Sequence, residues 1–179
     1  MRYYRLRMDE RIKHRIEPVP LSSLSIKSGM QMTLSQEEDA PLFLAIQLHS
    51  QSMFPDFLEY PVPLVSNRMK ALLEKYVPGM EWRAAILTDM KQARQEVYWV
   101  LRPPKEDCSS DSTERYPDRT LKRLVLQYRK DLPPIFQIAE VMEPYIFINL
   151  ALAESLLRRS FIGIRLERVE VESKEGTNE

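Results

Sequence analysis

A chain of 179 residues is long enough for one ordinary domain, or for one domain with a modest extra lobe, and too short for two full-sized ones. Hydrophobic residues at 44% and charged residues at 29% exclude disorder over most of the length, and 26 basic against 26 acidic residues leave no net charge to draw the chain to nucleic acid or an anionic membrane. One cysteine, Cys108, excludes an internal disulfide and sets the expectation of a reducing, cytoplasmic setting.

The opening YYRLRM alternates Tyr4, Leu6 and Met8 with Arg5 and Arg7, which predicts a half-buried strand with its arginines toward solvent. The N-terminal MRYYRLRMDERIKHRIE holds no apolar run like a signal-peptide core, and no stretch approaches the roughly 18 apolar residues of a membrane helix, so neither export by a leader nor membrane insertion is expected. Residues 17–38, rich in serine and broken by Pro18, Pro20 and Gly29, read as loop with one short strand near Met30–Leu34.

The run APLFLAIQLHSQSMFPDFLEYPVPLV carries Pro41, Pro55, Pro61 and Pro63, which remove amide donors and rule out one long helix, leaving short strands. Residues 18–65 have a net charge of −4 and hold a set of aromatics, so Phe43, Phe54, Phe57 and Tyr60 are the candidate partner-binding residues. Next, Met69, Leu72, Leu73 and Tyr76 fall on one face of a helix that Pro78-Gly79 stops. Trp82, Ala84 and Ile86 alternate with Arg83 and Ala85 as a strand, EVYWVL is a second, and Thr88 to Gln95 forms the loop between them.

RPPKEDCSSDSTERYPDR, residues 102–119, reads as a polar surface loop. LKRLVLQY places Leu124, Leu126 and Tyr128 on one strand face, and PPIFQIAEV and YIFINL give two further strands. A last helix over Leu150 to Arg159 turns Ala153, Leu156 and Leu157 inward, and the charged strand FIGIRLERVEV suits a sheet edge. IFINLALAESLLRRSFIGIRLERV repeats the order of PLVSNRMKALLEKYVPGMEWRAAIL: apolar run, small polar residue, Leu-Leu helix, stop, strand. Recurrent strand-helix-strand grammar accounts for it as well as duplication does.

The candidate chemistry is thin. Ser66 lacks the flanking glycines of a nucleophile elbow, whereas Ser66 or Asn67 before an apolar helix suits an N-cap, as Asn149 does before the second helix. His14 and His49 have no Cys, Asp or Glu at metal-ligand spacing, so no metal is expected. His49 with Asp56 and Glu59 is the one acid/base grouping, and it defines an alternative reading as a small hydrolase or modifying enzyme. Glu106-Asp107 opposes thiolate formation at Cys108, Glu37-Glu38-Asp39 reads as a solvated acidic face, and four glycines cannot build a nucleotide-binding loop, so no cofactor is expected.

At LVSNRMKALLEKY, EVYWVL and IFQIA with YIFINLALAESLLRRSFIGIRLERV, roughly Leu64 to Val169, the chain resembles a bacterial family of polymorphic-toxin immunity proteins, once filed as a domain of unknown function. The opening YYRL strand fits too. The resemblance implies an α+β protein that binds a cognate secreted toxin domain in the producing cell and blocks it by occlusion, without catalysis. It names no toxin-contacting residue, and the neutral charge departs from the acidity of many immunity proteins that neutralise nucleases. A regulatory or structural binding protein without a toxin partner is the third reading.

The expected architecture is α+β: a mainly antiparallel sheet with two short amphipathic helices packed on it. Along the chain this divides into a loop-rich portion over 1–63, a core over 64–171 and a polar tail over 172–179.

Overall fold

The computed structural model describes residues 2–21, 40–118, 120–139, 141 and 143–172. The strand expected near Met30–Leu34 lies outside them. The fold is α+β, with mostly antiparallel sheets, and the chain forms two compact units, each discontinuous in sequence. One gathers residues 1–7, 103–160 and 165–179, and the other residues 8–102 and 161–164. The sequence division at residue 63 is one of composition; it falls inside the second unit, between two strands that pair directly.

In the unit of residues 8–102 the strands are β2 (Val19–Pro20), β3 (Leu42–Ala45), β4 (Phe57–Leu58), β5 (Leu64–Ser66), β6 (Arg83–Asp89) and β7 (Arg94–Val100). They form one sheet in the order β2-β3-β6-β7-β5-β4, antiparallel except where β3 runs parallel to β6. The prolines of residues 41–63 confine β3 and β4 to short pieces, as their missing donors require.

Helix α1 (Asn67–Tyr76) joins β5 to β6 and buries Met69, Leu72 and Leu73, with Tyr76 half-buried at the end of the same stripe. The hairpin is tighter than expected, because Thr88 and Asp89 still pair with Gln95 and Arg94. Its buried face is also the opposite one. Ala85, Leu87 and Asp89 point inward, and Trp82, Ala84 and Ile86 are only half-buried, because β6 and β7 are apolar on both faces and alternation alone leaves the choice open.

The other unit is built on β1 (Tyr3–Met8), β8 (Lys105–Glu106), β9 (Glu114–Arg115), β10 (Leu121–Arg123), β11 (Val125–Gln127), β12 (Ile135–Ile138), β13 (Ile146–Asn149), α2 (Leu150–Arg158), β14 (Ile164–Arg168) and β15 (Glu170–Glu172). Its main sheet runs β14-β1-β13-β12-β8, and β14 takes the edge expected of a charged terminal strand. Tyr3, Cys108, Leu126, Leu132, Phe136, Ile138 and Phe147 form its core. Phe136 lies edge-on to Tyr3 at 5.6 Å between centroids and stacks on Phe147 at 5.7 Å.

Several expectations are corrected here. Tyr3, wholly buried, anchors β1 rather than half-buried Tyr4, and the arginines do not simply face solvent: Arg5 covers the Tyr145 ring at 3.5 Å and Arg7 reaches Glu167 at 3.3 Å. Residues 102–119 are not a plain surface loop. Ser110 N donates to the Val125 carbonyl and Gln127 N to the Cys108 carbonyl, which ties the segment down and buries Cys108 and Ser110. LKRLVLQY breaks at Leu124, with β10 pairing β9 and β11 pairing β15, and leaves Tyr128 exposed. In α2 the inward set is Leu152, Ala153 and Leu156, and Leu157 is 64% exposed.

Candidate functional site

Ser66 is a helix cap. Its Oγ accepts from Met69 N at 3.2 Å and donates to Asp56 Oδ1 at 2.6 Å, so both capacities of the hydroxyl are used in the scaffold. Asn149 caps α2 in the same way, accepting from Leu152 N at 2.9 Å. Asp56 is buried and also accepts from Ile162 N at 2.7 Å, with the Arg68 guanidinium 3.6 Å away. Glu59 accepts from Met8 N at 3.2 Å. The two acids expected to join His49 are therefore committed to backbone and cap.

Cys108 lies in the hydrophobic core, and burial, followed by the nearby Glu106 charge, pushes its thiol up to about 11. The Tyr98 hydroxyl donates to the Pro55 carbonyl at 2.7 Å, and burial raises its pKa strongly. Both groups are held in their neutral forms. Among the described residues no three His, Cys, Asp or Glu side chains gather as a metal site, and no helix is long and apolar enough to cross a membrane.

The feature that scaffold requirements do not explain lies on one face of the six-stranded sheet. Phe43 on β3 pairs with Ile86 on β6, and Ile86 pairs with Val97 on β7, so the three side chains form one row across three adjacent strands. Phe43 is 50% exposed and Val97 42% exposed, with Ile86 half-buried between them. The next row along the same strands, Ala84 and Trp99, continues the apolar strip, and Trp99 is fixed by donation to Asn67 Oδ1 and by Lys70 Nζ 4.6 Å from its ring. An antiparallel sheet commonly leaves one face to water, and here that face carries aromatic and β-branched groups on its central strands.

Of the four candidate partner residues, Phe43 alone belongs to this row. Phe54 is half-buried, with the Arg94 guanidinium 4.9 Å from its ring. Phe57 is a correction: fully buried in β4, opposite Val65, it is a core side chain out of reach of a partner. Tyr60 is 68% exposed just after β4, four strands from β3, or about 19 Å at the usual strand spacing. The four do not form one surface. Ile86 and Val97 were missed, although EVYWVL, apolar on both faces, carries the signal.

The described residues thus combine an α+β scaffold with an apolar row exposed on one sheet face. No protein-family model and no curated protein matches the chain.

Proposed function

We propose that this chain is an immunity protein, which binds a cognate secreted bacterial toxin domain and neutralises it by covering its surface, with no bond made or broken. The resemblance over Leu64 to Val169 suggests the partner, and the exposed row Phe43, Ile86 and Val97 is the observation that carries the binding role. On this reading the protein works in the cytoplasm of the producing cell. An apolar strip ringed by polar groups is what a standard interface of about 1,600 Å² needs at its centre, where a few anchors supply most of the affinity.

The test is co-expression with the toxin domain encoded beside this chain's gene. Phe43→Asp and Val97→Asp place a charge in the contact and are expected to abolish growth protection and weaken toxin binding about 30-fold or more, as loss of a ~2 kcal/mol anchor does. Tyr60→Ala is the control expected to protect normally. Full protection by the folded double variant would overturn the assignment of this face.

A further inference from the structure

A cavity of about 460 Å³ opens on the same sheet face. Part of its wall is the pair Ala45 and Thr88, two residues along from Phe43 and Ile86 on the same two strands, so the cavity continues the apolar row. Both histidines of the chain, His14 and His49, distant in sequence, line it together with Lys91. The two acids at its edge are already engaged. Asp89 accepts from Leu48 N at 2.6 Å, Lys91 N at 2.8 Å and Gln92 N at 3.0 Å, and Glu17 lies 3.4 Å from the Arg15 guanidinium.

The side chains of His14, His49 and Lys91 form no ion pair within 4 Å among the described residues, and all three residues are exposed. The Lys91 ammonium brings three N–H donors and each imidazole one N–H, while the Asp89 carboxylate that feels the Lys91 charge already accepts three backbone amides. A ligand that fits must bring its own acceptor. A carboxylate does so with two oxygens and no donor to clash with the N–H groups around it.

We propose that this cavity receives an acidic side chain, Asp or Glu, of the protein partner, while apolar neighbours of that residue lie along Phe43, Ile86 and Val97. This rests on the immunity reading for the identity of the partner. The contiguity of donors and apolar row on one face is what points to a protein segment rather than a free small acid, which would have no use for the row.

The experiment uses the full chain and the peptide N-acetyl-Leu-Glu-Leu-amide, followed by NMR through the ring resonances of His14 and His49. The expected result is saturable binding, at least fivefold weaker for the glutamine counterpart, and at least fivefold weaker for Lys91→Met and for His49→Ala. Both substitutions are at exposed side chains, so unchanged far-UV circular dichroism is expected. Binding of the glutamine peptide as strongly, absence of saturable shifts, or acetate matching the peptide would each overturn the proposal. The two readings fail separately: with peptide binding intact but no protection against the neighbouring toxin, immunity fails and the subsite stands. Full protection by Lys91→Met and His49→Ala together removes the subsite and leaves immunity standing.

Discussion

In the unit of residues 8–102, α1 carries the chain from β5 to β6 across the intervening strand β7; in the other unit, α2 carries it from β13 to β14 across β1. Each helix starts from a side-chain cap, Ser66 or Asn149, and each connection passes a glycine with φ of 80°, Gly79 or Gly163, the latter in the stretch 161–164 that belongs to the unit of residues 8–102. The difference lies in the strand crossed. β7 follows β6 through a tight hairpin, a local pairing, whereas β1 comes from the start of the chain and must find β13 some 140 residues later. One unit closes its sheet with a local contact, and the other depends on a long-range one.

The strongest way to break the comparison is therefore at β1. Tyr3→Ala removes a fully buried ring from against Phe136, and the expected cost is about 3–5 kcal/mol, as for other large aromatic truncations. Both tryptophans, Trp82 and Trp99, lie in the unit of residues 8–102, so their fluorescence follows that unit while far-UV circular dichroism follows both. In urea the dichroism transition should move to lower denaturant with the fluorescence transition less affected. Equal shifts of both signals would show that the two units unfold as one.

The glycines sharpen it next. A side chain at either position meets the left-handed region, at a cost of about 1–2 kcal/mol. At Gly79 nothing else is in the way, whereas a Cβ at Gly163 would lie 2.4 Å from the Pro55 Cβ. Overpacking of this kind adds roughly 1–3 kcal/mol, so Gly163→Ala should cost about 2–5 kcal/mol against about 1–2 kcal/mol for Gly79→Ala. Similar urea midpoints for the two variants would remove the contact with Pro55 from the explanation.

The caps separate by less. Asn149→Ala gives up one bond to Leu152 N and is expected to cost about 1 kcal/mol. Ser66→Ala gives up its bond to Met69 N and also leaves Asp56 Oδ1 without its 2.6 Å donor, so about 2 kcal/mol is expected. A larger loss at Asn149 would contradict this ordering.

The same contrast between local and long-range contacts decides what could be read from the sequence. Both helices, both caps and the Pro78-Gly79 stop were legible because each depends on residues within one or two turns. The inward face of β6 was not, since Ile86 and Leu87 are equally apolar and only pairing with β3 and β7 distinguishes them. Cys108 and Ser110 look like loop residues until Val125 and Gln127 bind their backbone from more than a dozen residues away. The candidate site follows this pattern: Phe43 is visible as an aromatic beside prolines, but the row it forms exists only through strand register, and His14 and His49 line one cavity only through long-range loop contacts such as that of Met53 N with the His14 carbonyl.

The smallest expected effect concerns acid, and each unit has its own responding carboxylate. Asp89 is held below the usual range by the amides of Gln92 and Leu48, against the opposing effect of burial; Glu172 is held below it by the hydroxyls of Ser110 and Ser112. A carboxyl whose folded pKa is depressed binds fewer protons than in the unfolded chain, so its stabilisation is complete above the unfolded value near ~4 and fades as pH falls through the folded value. Asp89→Asn abolishes that charge, so the gap in stability between native chain and variant should be constant from neutral pH to about 5 and narrow below about 4. Glu172→Gln should show the same narrowing. Because the tryptophans see only the unit of residues 8–102, the Asp89 effect should appear in fluorescence-monitored urea melts, and the Glu172 effect in circular dichroism alone. A gap that stays constant down to pH 3 would mean that Asp89 loses nothing on protonation, so that the backbone amides hold the neutral carboxyl as well as the carboxylate and shape rather than charge secures the hairpin.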